Sequence, residues 1–281
     1  MLGFDRDKEQ LLRLYNEIAK HKAIAQSKEK RLLVLVGESH HSLNSYYVEL
    51  IIMIFAKELF SIKDLLLELD KTKIESFKRS KHVYENSNMG HGNMQSLFYM
   101  NDKEKFAHII PIDLSSSENK FQNITLQGVR KRNEMMSKTA NTMTKRDAVG
   151  IVGFNHLYGL LCETKLPECF HVVTINTSNH KNTERTPYGI KCEKFAFGNN
   201  AFQFFKQIPE DYSAKEVEEM AFADARDFIS TLKDHSLEIG SDKVELLLFS
   251  LPILLDSCKI GNNIESSSHN NETTFSRTPL P

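Results

Sequence analysis

The stretch LLVLVGESHHS, residues 32–42, decides how this chain reads. Five apolar residues lead into Gly37, and then come Glu38, Ser39, His40 and His41. A run this short and apolar, closed by glycine, reads as a strand buried on both faces. The strand then delivers a carboxylate and an imidazole two residues apart at its carboxyl end. Glu38 and His40, so spaced, share one side of the chain, whereas the adjacent His41 faces elsewhere.

Working outward, four more apolar runs resemble the first: KDLLLELD (63–70), HIIPIDL (108–114), DAVGIVGFNHLYGL (147–160) and FHVVTINT (170–177). Pro111 marks the third as an edge strand or a strand end. Between the runs lie segments of helical period. Leu11, Leu12, Leu14, Tyr15, Ile18 and Ala19 recur at helical spacing within residues 5–26. NSYYVELIIMIFAKELF (44–60) follows the first strand, with Ser42 or Asn44 as its cap. NITLQGVRKRNEMMSKTANTMTKR (123–146) precedes the fourth strand. The polar residues 71–105 hold some helix and a long loop. Strands alternating with helices predict an α/β domain, mainly a parallel sheet flanked by helices, over residues 1–200. A C-terminal helical extension is expected over 201–257, and a disordered polar tail over 258–281.

The formal net charge of -1 gives no global field that would favour nucleic acid or anionic membranes. The short basic cluster Arg130, Lys131 and Arg132 reads as a solvated helix face. The most apolar segment, VELIIMIFAKELF (48–60), is interrupted by Lys57 and Glu58 and is too short to span a bilayer. The charged start MLGFDRDKEQ is not a secretory signal, so a cytoplasmic location is expected. Cys162, Cys169, Cys192 and Cys258 form no CxxC pair and read as free thiols.

In an open parallel sheet the carboxyl ends of the strands share one edge, where ligands bind. That edge gathers Glu38 and His40 from the first strand and Glu68 and Asp70 from the second. Asp113 joins them from the third, and Asn155 and His156 from the fourth. Histidine exchanges protons near neutral pH, and histidine with glutamate also ligates zinc, manganese or iron. His40 or His156 would activate water, directly or through such a divalent metal. Glu38 and Glu68 would orient the histidine or serve as ligands. Asp70 and Asp113 read as helix caps, and His82, His108, His171 and His180 as structural or exposed. Arg132 would hold Glu38 or Glu68 ionised, bind an anionic substrate group with Asn133 beside it, or lie on the surface. The loop NSNMGHGNM (86–94) offers Met89, His91 and Met94 as soft ligands, haem ligands or an apolar lid, or is a plain flexible loop.

Taken in order, VGESHH, LLLELD, VRKRNEMM and VGFNHLYGL resemble the superfamily uniting erythromycin esterases, ChaN-like haem-binding proteins and TIKI/TraB metalloprotease-like proteins. The resemblance covers residues 32–161, about half the chain. It implies that Glu38, His40, Glu68, Arg132, Asn133 and His156 form one site. It does not imply one activity, since esterase-like members use a histidine on water, TIKI-like members resemble metal-dependent proteases, and ChaN-like members are associated with haem and iron. Glu38 stands where the GTxH form has threonine, which moves the chain towards the esterase and ChaN branches. The absence of a secretory signal or lipoprotein cysteine speaks against haem uptake at a cell surface.

The expectation is therefore a hydrolase acting on an ester, lactone or amide in a small-molecule or peptide substrate. The alternatives are a haem or iron binder without turnover, and a non-catalytic secreted effector whose polar tail carries an export signal.

Overall fold

The computed structural model describes residues 6–79, 93–114, 125–177, 201–204, 206–209 and 211–239. Most of the 86–94 loop, with Met89 and His91, lies outside the described residues. So do His82, His180, Cys192, Cys258, the apolar segment after residue 239 and the tail.

The chain opens with α1 (Arg6–Ser27) and enters β1 (Arg31–Glu38). Then follow α2 (Leu43–Glu58), β2 (Asp64–Leu67), α3 (Lys71–Arg79), α4 (Asn93–Glu104) and β3 (His108–Pro111). Next come α5 (Leu126–Met143), β4 (Ala148–Gly153), the short α6 (Leu166–Cys169) and β5 (Phe170–Asn176). The described chain ends with β6 (Ala201–Gln203) and α7 (Ala214–Ile239). The six strands form one sheet in the order β3-β2-β4-β1-β5-β6, with every pairing parallel. β1 is central, in register with β4 from Leu33↔Ala148 to Glu38↔Gly153 and with β5 from Arg31↔Phe170 to Gly37↔Asn176.

The period of two along each strand divides its side chains between two cores. Leu32, Val34 and Val36 point to one face with Leu65, Leu67, Val149, Ile151, Val173 and Ile175, covered by α1, α2, α4 and α7. Leu33, Leu35, Leu66, Val152 and Val172 point to the other, covered by Met136 and Ala140 of α5 and by Leu157, Leu160 and Leu166. Burial on both faces explains why β1 reads as an unbroken apolar run rather than an alternating one. Pro111 sits in the edge strand β3, which pairs with β2 alone.

The stretch expected to be helical from residue 201 differs at its start. Residues 201–203 add β6 to β5, and α7 begins only at Ala214. Three residues are too few to display a strand period. The helix start is set by a capping box, in which Ser213 Oγ accepts from Glu216 N at 3.3 Å and Glu216 Oε2 accepts from Ser213 N at 2.7 Å. α7 packs on α2, where the Tyr46 and Tyr47 hydroxyls donate to Glu218 and Asp224, each at 2.6 Å. Among the described residues, no helix is long and apolar enough to cross a membrane.

Candidate functional site

Glu38 is the last residue of β1, and its side chain is fully enclosed. The chain then turns through Ser39–Ser42 into α2, whose first turn is capped by Ser42 accepting from Ser45 N. Asn93, at the start of α4, fastens this turn. Its Nδ2 donates to Ser39 O at 3.3 Å and Ser42 O at 3.2 Å, and its backbone N donates to His40 O at 2.7 Å. The turn returns His40 over Glu38, with Nδ1 2.7 Å from Glu38 Oε1. The His40 side chain remains 51% exposed, and Nε2 has no hydrogen-bond partner among the described residues. The bond to Glu38 raises His40 to about 9, against the opposing effect of burial and with help from the nearby charge of Glu68.

Glu68 follows β2 and lies deep. Its Oε1 accepts from Arg132 Nη2 at 2.5 Å and lies 3.2 Å from His156 Nε2, while Oε2 accepts from Gly153 N at 2.5 Å. Burial alone would raise this carboxyl. His156, Arg132 and His40 overcome that effect and hold it well below the usual carboxylate range. Arg132, on the inner face of α5, also grips Asp113, with Nε to Oδ1 at 3.0 Å and Nη2 to Oδ2 at 2.7 Å. Directly after β4, residues Phe154–His156 form a 3₁₀ turn that folds His156 back over the sheet edge. There His156 Nδ1 lies 2.6 Å from Asn133 Oδ1.

Two glycines permit this crowding. A Cβ on Gly37 would lie 2.4 Å from Leu157 Cδ1, so the end of β1 must be bare for the turn after β4 to pack on it. A Cβ on Gly153 would lie 3.0 Å from His40 Nε2 and 3.2 Å from Glu68 Oε2. His40 and Glu68 thus meet across the bare backbone of Gly153.

The structure brings Glu38, His40, Glu68, Arg132, Asn133 and His156 into one cluster at the carboxyl edge, with Asp113 joined through Arg132. Their parts are unequal. Arg132 is only 8% exposed and Asn133 is buried, so neither faces a substrate as the substrate-binding reading required. Arg132 instead holds Glu68 and Asp113, and Asn133 holds His156. Asp113 is an ion-pair partner of Arg132, and its Oδ1 also accepts from Leu114 N at 2.8 Å. Residues 115–124, which it would cap, lie outside the described residues. Asp70 does cap a helix, its Oδ1 accepting from Lys73 N at 2.8 Å at the head of α3.

The four residues considered as metal ligands, Glu38, His40, Glu68 and His156, do not fit that role as one set. Both oxygens of Glu68 and both ring nitrogens of His156 are engaged by protein groups. A guanidinium already supplies the positive charge beside Glu68. Among the described residues, no three His, Cys, Asp or Glu side chains are arranged to hold a metal ion.

Sequence reasoning missed Glu49, the Gly153 amide and Asn93. Glu49 left a signal, as the lone charged residue in the apolar heart of α2, where Ser45 to Ala56 are all buried. In comparison with known proteins, the chain matches no family model, no curated protein and no solved structure.

Proposed function

We propose that the chain is a hydrolase in which His40, oriented by Glu38, takes a proton from an attacking water. One observation carries this reading: a carboxylate–imidazole pair at 2.7 Å, with its carboxylate enclosed and its imidazole half exposed at the sheet's carboxyl edge. Nδ1 is occupied by Glu38, which leaves Nε2 to face the reactant. This arrangement has the logic of a base held by a third group. His156 is the weaker candidate because it is buried with both nitrogens engaged.

In the proposed step, water attacks the carbonyl carbon of an ester, lactone or amide while its proton passes to His40 Nε2. The imidazolium formed is stabilised by Glu38 and returns the proton to the departing alkoxide or amine. Glu68, Arg132 and His156 form the hydrogen-bonded floor against which His40 is packed at Gly153.

The reading predicts its own pH profile. A base held at about 9 is mostly protonated at neutral pH, so the rate constant rises about tenfold per unit from pH 7 and levels off near 9. A panel of short-chain aryl esters and lactones, assayed across this range, tests it. His40→Gln should lower the rate about 10²- to 10⁴-fold with the fold intact. Turnover at an equal rate in that variant defeats the assignment.

A further inference from the structure

Behind the Glu38–His40 pair lies a second carboxyl group that the proposed reaction does not use. Glu49 belongs to α2 and is 0% exposed. It lies against Glu38 from β1 and Asn93 from α4. Among the described residues, six buried side-chain polar atoms lack a hydrogen-bond partner, and four belong to this one spot: Glu38 Oε2, both Glu49 oxygens and Asn93 Oδ1. With Glu49 ionised, all four would be acceptors enclosed together without a donor. Such an arrangement is among the costliest a protein interior can hold. The Asn93 amide cannot be turned to help, because Nδ2 is already committed to Ser39 O and Ser42 O.

We propose that Glu49 is a positioning residue, a neutral carboxylic acid that donates its proton to Glu38 Oε2 and so pins the carboxylate that holds His40. The inference rests on reading Glu38 and His40 as the working pair. One proton on Glu49 supplies the donor that the cluster lacks. Oε2 of Glu38 then belongs to Glu49 and Oε1 to His40, which fixes the rotation of the carboxylate. Burial, followed by the charge of Glu38, pushes Glu49 well above the usual carboxylate range, in keeping with the neutral form. The Glu49 donor also draws negative charge from Glu38 and so restrains the rise that Glu38 imposes on His40.

The sign of a substitution effect separates this from the ordinary alternative. Glu49→Leu removes the donor and no charge, so the His40 titration should move up from about 9 by about one unit. Glu49→Gln keeps an N–H donor of the same length, so the titration should stay in place. If Glu49 were an ionised carboxylate, both substitutions would remove a negative charge and move His40 down. The experiment is nuclear magnetic resonance titration of histidine-labelled full-length chain, with His40 assigned by the peak lost in His40→Gln. An upward shift in Glu49→Leu alone supports the inference. A downward shift in either variant, or no shift in Glu49→Leu, overturns it. Should Glu49→Leu fail to fold, infrared spectroscopy decides with Glu49→Gln. A protonated-carboxyl band at neutral pH that disappears in the variant supports the proposal, and the same spectrum in both proteins overturns it. Neither measurement needs a substrate, so failure of the hydrolase reading and failure of this one are told apart.

Discussion

Arg132→Met is the sharpest probe of how the site is held together. The guanidinium bridges Glu68 and Asp113 through contacts of 2.5, 2.7 and 3.0 Å, and the carboxylates it serves are 6% and 3% exposed. Methionine refills most of the aliphatic volume, so the substitution chiefly deletes charge. Two buried carboxylates then lose the guanidinium that bridges them, a loss of about 3–5 kcal/mol. Against a total stability of about 5–15 kcal/mol this is a large fraction. With an m-value of about 2 kcal/mol per M, the urea midpoint should fall by about 1.5–2.5 M. Glu68 is depressed in the folded protein, so the stability it contributes is present above the ordinary carboxylate pKa and is lost as pH falls through its lower folded value. The penalty of Arg132→Met should therefore shrink as the medium is acidified below about pH 4.5. Adding Glu68→Gln and Asp113→Asn to Arg132→Met should restore most of the loss. A single-variant cost under about 1 kcal/mol, or an equal cost in the triple variant, refutes the argument that a buried cation is the clamp.

Three further outcomes are expected. Gly37→Ala should cost about 1–3 kcal/mol in urea unfolding, because the new methyl group displaces Leu157 from the core. Gly153→Ala should leave the unfolding free energy within about 1 kcal/mol of wild type, since the half-exposed His40 can yield. It should lower hydrolysis about tenfold through a displaced imidazole. At the opposite end of the sheet, His21 Nδ1 lies 2.8 Å from His171 Nε2, and burial together with the His21 charge lowers His171 to about 4. The stability this neutral ring contributes is present above pH 6.5 and is lost as pH falls towards 4, so His171→Gln should flatten that part of a melting-temperature profile.

The sheet was readable in the sequence because β1, β2, β4 and β5 are buried on both faces, and such strands announce themselves as apolar runs. β6 was not readable, since its three residues carry no period, and α4 was expected only as some helix, without a place, within residues 71–105. Polar residues such as Asn93, Gln95, Ser96 and Asn101 are buried in α4, so its sequence looks like a surface loop. The site residues were placed on one edge by the logic of parallel strands, but their roles were not. Arg132 and Asn133 look alike in sequence as polar residues on a helix. Only the packing of α5 shows that one faces Glu68 and Asp113 while the other faces His156. Glu49 was visible as a charge among apolar residues, yet its meaning depends on what α2 is packed against.

The central place of β1 has a consequence for how the chain is made. Leu32 N is bonded to Asp147 Oδ1, a partner 115 residues further on. At about 5–20 residues per second, a ribosome needs roughly 6–23 s to supply β4 after β1 has emerged. Throughout that interval one of the most apolar segments of the protein lacks its neighbour and cannot be shielded by sheet pairing on that side. The same strand that anchors the finished edge is therefore open, for that interval, to capture by holding chaperones or by other nascent chains. Synthesis rate and chaperone supply should influence the yield of folded protein more than they would for a helical bundle of equal length.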